Sequence, residues 1–136
     1  MTELEAKARE YFLEKDNNCA ESTLRIANDL YGFGLDGNAI RLVSAFGGGM
    51  GCGKTCGVIC GCLAAYGKMT VNGRAHATEK FSPNCMKLYR AMTKALGADM
   101  CAELKPMYFD KETRCLKKVE IGLDAFEKFM ADSGNE

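Results

Sequence analysis

A chain of 136 residues with eighteen Lys and Arg against eighteen Asp and Glu carries no formal net charge, which argues against the basic footprint of a nucleic-acid or anionic-membrane binder. Its length suits one compact domain able to bury a core without disulfides, and 47% apolar residues are too many for a disordered chain. The unusual counts are eight Cys, eight Met and fifteen Gly.

Taken in chain order, residues 3 to 15 join strong helix formers with Leu4, Ala8, Tyr11 and Phe12 on one face, which predicts a first helix. Asn18 followed three residues later by Glu21 forms a capping-box pattern for a second helix, carrying Leu24, Ile26, Ala27 and Leu30 and stopped by Gly32 and Gly34. Asp36 is placed to cap a third, short helix over 38 to 46. The glycine-rich stretch 47 to 53 that follows is a loop by propensity. Thr55 reads as the cap of a fourth helix over 56 to 66, closed by Gly67, and Asn72-Gly73 marks a turn. Ser82-Pro83 opens a fifth helix that ends at Gly97, although its apolar pattern already starts near Ala77. Asp99 caps a short helix over 100 to 105, ended by Pro106. Thr113 or Asp110 opens a last one, where Leu116, Val119, Leu123, Phe126, Phe129 and Met130 keep a helical period to the C-terminus. Almost nothing alternates with period two, so the fold class expected is all-α: a single domain, 1 to 136, of six or seven helices.

The charged opening lacks the sections of a secretory signal, and the most apolar stretch, 58 to 67, is half of what a bilayer crossing needs. A cytoplasmic protein with no membrane insertion is therefore expected. In that reducing compartment eight cysteines read as metal ligands, redox thiols or small core residues rather than as a disulfide framework.

The most specific feature is Cys52-Gly53-Lys54-Thr55-Cys56-Gly57-Val58-Ile59-Cys60-Gly61-Cys62. Gly49, Gly53, Gly57 and Gly61 recur every four residues, with Cys52, Cys56 and Cys60 one position earlier. On a helix, the part from Thr55 onward makes a groove of bare backbone beside a line of sulfurs. The plain alternative is a small-residue seam for a neighbouring helix, with Cys60 and Cys62 as small hydrophobes. No CxxC pair occurs, which disfavours a classical zinc ribbon or thioredoxin motif. By the helix starts above, Cys19, Cys56 and Cys101 fall in first turns, Cys85 three residues after its cap and Cys115 two residues after Thr113. Helix N-termini stabilise thiolates and anionic metal-thiolate clusters, so convergence of these ends would make a sulfur-lined anion site.

These residues resemble the C_GCAxxG_C_C family of redox-active proteins, small helical chains with four widely spaced cysteines and a CGAxxG motif. Cys56 to Gly61 looks like that motif with Val58 in place of its alanine. Asn18-Cys19-Ala20-Glu21, Phe46 to Gly51, Cys101-Ala102-Glu103-Leu104 and Arg114-Cys115 are similar to the family's other segments, over roughly 17 to 129. The resemblance implies a redox role, with genes often near transporter genes. Similar regions attached to a multihaem cytochrome imply an iron-sulfur centre. Carried over, Cys19, Cys56, Cys101 and Cys115 are the functional set, suited to a 2Fe-2S or 4Fe-4S cluster or to zinc. Cys52, Cys60, Cys62 and Cys85 lie outside the four-cysteine pattern and leave open a second cluster, ligand exchange, or dithiol chemistry with Cys56 as the attacking thiolate. The expected work is electron transfer or redox sensing, with a redox protein or transporter-associated system as partner and a homodimer as the oligomeric option. The other classes open to the same residues are a thiol-disulfide oxidoreductase and a zinc-stapled adaptor.

Gly48 to Thr55 also satisfies the phosphate-cradling pattern GxxxxGK[ST], but that motif requires a preceding strand and a parallel sheet, for which only 39 to 46 offers a candidate. Its weaker use is as an anion-binding loop. His76, the only histidine, sits in a polar turn and receives no role. Met86, Met92, Met100, Met107 and Met130 are expected to fill core gaps. No Ser/His/Asp set or paired carboxylates support a hydrolase.

Overall fold

The computed structural model describes residues 1–133, and over them the chain is helical with no strand. Its α-helices are α1 (Glu3–Ala8), α2 (Cys19–Tyr31), α3 (Gly37–Ile40), α4 (Gly57–Thr70), α5 (Phe81–Leu96), α6 (Cys101–Tyr108) and α7 (Leu116–Ser133). A wider π turn continues α1 through Arg9–Glu14, and a tighter 3-10 turn continues α3 through Arg41–Phe46. No helix among the described residues is long and apolar enough to cross a membrane.

Several ends follow from the local chemistry of the sequence. Asn18 and Glu21 close a reciprocal capping box on α2, each side chain bonded to the other's backbone N–H. Gly32 and Gly97 terminate α2 and α5 in the left-handed conformation. Asp36 accepts from Ala39 N–H at the start of α3.

Other ends differ because tertiary partners claim the expected cap. The Thr55 hydroxyl lies 3.4 Å from that of Tyr89, and α4 starts only at Gly57. The same helix runs through Gly67 to Thr70, since Gly67 has helical company on both sides and Tyr66 packs against Phe81. Ser82 and Pro83 occupy the first turn of α5, which begins at Phe81 behind a left-handed Lys80. Met100, not Asp99, precedes α6, and Pro106 lies inside it, near enough to the end that one lost N–H donor is tolerated. The last helix extends as expected to Ser133; the rest of that expectation lies outside the described residues.

The core is apolar and continuous. Ile26 and Ala27 of α2, Val58 and Ile59 of α4, Leu88, Met92 and Leu96 of α5, and Val119, Leu123 and Phe126 of α7 are all fully buried. Helix α4 lies closest to α2, and this is the work of its small residues. A β-carbon at Gly61 would stand 2.8 Å from Thr23 Cβ and 3.1 Å from the Ala20 carbonyl oxygen. The groove of bare backbone is thus a helix-packing seam, and the fully buried Cys62 is part of the core. Of the methionines expected inside, Met92 is buried, but Met86 and Met107 are more than half exposed.

Candidate redox site

Two of the four cysteines are brought together by backbone alone. Thr55 and Met100 form an isolated antiparallel bridge. Across it the Cys56 N–H donates to the Asp99 carbonyl at 2.8 Å and the Cys101 N–H donates to the Lys54 carbonyl at 2.7 Å. The bridge sets the start of α4 beside the start of α6. The Asp99 carboxylate accepts from the Tyr89 hydroxyl at 2.7 Å, which ties the bridge to α5.

Glycines let the neighbouring segments close on this point. Gly49 sits in a left-handed turn, and a β-carbon there would be 2.5 Å from the Lys54 carbonyl oxygen and 2.6 Å from Cys101 Cβ. A β-carbon at Gly57 would be 2.5 Å from Cys19 Sγ. The family-like motif therefore has a steric meaning: its glycine leaves room for the sulfur at the start of α2.

Cys115 immediately precedes α7, with its carbonyl accepting from Lys118 N–H. The loop that carries it is fastened by Arg114. That guanidinium pairs with Asp16 at 2.6 Å, donates to the Phe12 carbonyl and lies 4.7 Å over the Phe12 ring. Cys19, Cys56, Cys101 and Cys115 thus all stand at, or one residue before, a helix N-terminus. Cys85 does not, because α5 starts at Phe81, two residues earlier than the sequence suggests.

The four ends meet around a residue that the sequence reading missed. Lys118 is 1% exposed, and no carboxylate forms an ion pair with it among the described residues. Burial by itself lowers the pKa of its ammonium. The charges of Cys56, Cys19, Cys115 and Cys101 more than offset this, and the net shift is upward. The available signal was spacing, for Lys118 stands one turn after Cys115 and one turn before the packed Gly122. A cavity of about 380 Å³ opens here, lined by Cys19, Cys101, Cys115 and Lys118 and flanked by Phe12, Phe109 and Lys105.

The thiols are unequal. Cys56 is fully buried, and burial pushes its pKa up despite hydrogen bonds from the Val58 and Ile59 N–H groups and the nearby Lys118. Burial of this kind disfavours the thiolate form. Burial raises the half-buried Cys115 too, with Lys118 opposing it. Cys60, a turn after Cys56, is half-buried and raised by burial and by Cys56 and Cys19. Cys62 is raised well above the usual thiol range by burial. Cys52 is exposed on the glycine loop, its thiol donating to the Gly49 carbonyl at 3.6 Å, and Cys85 is half-buried on α5.

Among the described residues no three His, Cys, Asp or Glu side chains are grouped so that they could hold a metal ion. The donor set itself, four thiols facing one buried ammonium, fits an anionic metal-sulfur group in its chemistry. The phosphate-loop pattern lacks its context: 37 to 46 is helical, the glycines at 48, 49, 51 and 53 are left-handed, and α4 begins two residues after Thr55. His76 is exposed, away from the cysteines of the cavity.

No curated protein and no solved structure matches the chain. A family model described as "Putative redox-active protein (C_GCAxxG_C_C)" matches residues 17–129, a span that contains all four cysteines and Lys118. On that match over most of its length, the chain belongs to the C_GCAxxG_C_C redox-active family.

Proposed function

We propose that the chain is a small redox protein that uses Cys19, Cys56, Cys101 and Cys115 to hold an iron-sulfur cluster for electron transfer or redox sensing. The observation that carries this reading is Lys118. A buried ammonium is costly without compensating negative charge; no carboxylate pairs with Lys118 among the described residues, and the groups near enough to supply that charge, as thiolates, are Cys56, Cys19, Cys115 and Cys101. Four thiolates alone would be over-charged and mutually repelling. A group that binds them all through metal takes up much of that charge and leaves a net anion for the lysine to face.

When bound, such a cluster supplies one-electron oxidation and reduction. The chain's own residues do the rest. The helix ends bring partial positive charge near the cysteines, the Val58 and Ile59 N–H groups reach the Cys56 sulfur, and Lys118 adds a full charge. All of these favour the more negative, reduced state. Phe12 and Phe109 flank the cavity and limit water, and Gly49 and Gly57 allow the backbone to close on the sulfurs. A zinc staple draws less support, because a single zinc ion needs its sulfurs at about 2.3 Å from one point, whereas a multi-iron cluster spreads them over several metals.

The test is anaerobic purification of the full chain with iron and acid-labile sulfide analysis. The expected result is brown protein whose colour is lost in Cys19→Ser, Cys56→Ser, Cys101→Ser and Cys115→Ser but kept in Cys52→Ser. Lys118→Met should lower the reduction potential, read by redox titration. Protein that is colourless after reconstitution with iron and sulfide, or that holds zinc alone, overturns the reading.

A further inference from the structure

Helix α5 carries none of the four cysteines of the site, yet one of its side chains reaches both halves of the bridge that joins two of them. The Tyr89 hydroxyl donates to the Asp99 carboxylate at 2.7 Å, and its oxygen lies 3.4 Å from the Thr55 hydroxyl. With the phenol proton committed to Asp99, the Thr55 hydroxyl is the donor in the second contact. The result is a short chain of donors, Thr55 to Tyr89 to Asp99, that ends on a negative charge. Thr55 belongs to one side of the bridge, and Asp99 stands on the other, just before Met100.

Each side of the bridge passes directly into a cysteine. The Asp99 carbonyl receives the Cys56 N–H at 2.8 Å, and the Lys54 carbonyl receives the Cys101 N–H at 2.7 Å. Two backbone bonds are little to hold a pairing between segments so distant in the chain, because an isolated two-stranded contact is only marginally stable. Tyr89 supplies a further attachment to both segments at once. Its base is fixed, since Leu88, Met92 and Leu96 of the same helix are buried in the core.

We infer that Tyr89 is a positioning residue that holds Cys56 and Cys101 side by side, acting through Thr55 and the Asp99 carboxylate and not on the sulfurs themselves. The clamp stands on these hydrogen bonds alone; that the pair so held carries a cluster rests on the proposed function. Tyr89→Phe keeps the ring and removes the clamp. Asp99→Ala removes the acceptor, whereas Asp99→Asn keeps an oxygen that can accept from the phenol. Thr55→Val loses only the longer contact of 3.4 Å and should have the smaller effect.

The experiment uses the full chain without added iron, so that failure to hold a cluster leaves it interpretable. Amide hydrogen exchange is followed by NMR at Cys56 and Cys101, with the buried Leu96 and Leu123 as the reference for the packed body. Tyr89→Phe and Asp99→Ala should each speed exchange at the two cysteine amides roughly tenfold relative to that reference. The double variant should do no more than either alone, because both remove the same bond, and Asp99→Asn should keep the natural rate. Acceleration of the reference amides by the same factor, additive effects in the double variant, or exchange in Asp99→Asn as fast as in Asp99→Ala would overturn the inference. In chain reconstituted with iron and sulfide, Tyr89→Phe should also lose iron to a chelator roughly tenfold faster, with Asp99→Asn again at the natural rate. A natural chain that stays colourless removes the proposed function and leaves the exchange result to decide the clamp.

Discussion

The two ends of the helical bundle are built on different principles. Away from the cysteines, helices meet through large side chains: Tyr31 packs edge-on against Phe126, Tyr66 stacks on Phe81, and Ile26 and Leu123 are fully buried. At the cysteine end much of the close contact is made by backbone and glycine, in the Thr55–Met100 bridge and at Gly49 and Gly57, with polar side chains such as Arg114 and Tyr89 fastening the loops around it. The first end derives its stability from buried area. The second uses that stability to hold a charged lysine, four sulfurs and a left-handed turn in place. The lesson is that a polar site can be assembled largely by backbone and glycine contacts, with a few polar fasteners, when a packed body fixes the helix directions.

The largest expected effect lies in the body. Phe126→Ala should lower the unfolding free energy by about 3 to 5 kcal/mol, measured by urea denaturation, because it opens a cavity among fully buried neighbours. A loss below about 1 kcal/mol would mean that the body is not what carries the fold. A smaller cost, about 1 to 3 kcal/mol, is expected for Gly57→Ala, whose new methyl group would strike Cys19 Sγ. Its damage should concentrate at the site, seen as faster labelling of Cys19 by a thiol reagent under native conditions. Unchanged labelling together with unchanged stability would remove the distinction drawn between the two ends.

The smallest effect concerns the seam that joins α1 to α2 near the boundary of both regions. The Tyr11 hydroxyl donates to Asp29 at 2.5 Å, and this bond, with partial burial, raises its pKa to about 12 from 10. The folded state thus holds the phenol proton more tightly than the unfolded chain does. That contribution is complete below pH 10 and is lost as pH rises toward 12. The stability difference between the natural chain and Tyr11→Phe should therefore shrink over this window, with titrations common to both cancelling in the comparison. A difference that stays constant would place no such bond there.

What was legible in the sequence is the part governed by neighbours in the chain. The Asn18–Glu21 box and the terminating Gly32 and Gly97 are local devices, and the apolar period of α7 follows from one-sided burial. Thr55 and Ser82 misled because a residue suited to capping has other uses: one hydroxyl turned to Tyr89, and the other residue joined the first turn of its helix. The glycine spacing was read correctly as a close-approach surface, but which sulfur it admits depends on α2, which no spacing reports. Lys118 was invisible for a related reason. A lysine on an amphipathic helix is ordinarily solvated, and only the meeting of four separate helix ends makes this one interior.

The antiparallel bridge between Thr55 and Met100 also bears on biosynthesis. Its halves lie far apart in the polypeptide, so the loop between them must close before Cys56 and Cys101 become neighbours, and that closure is an entropic cost met only once α4 and α5 have packed. A chain still emerging from the ribosome therefore offers isolated thiols and no preformed receptor. The thiols at the two ends of this bridge are therefore brought together by folding and not by their nearness in the sequence.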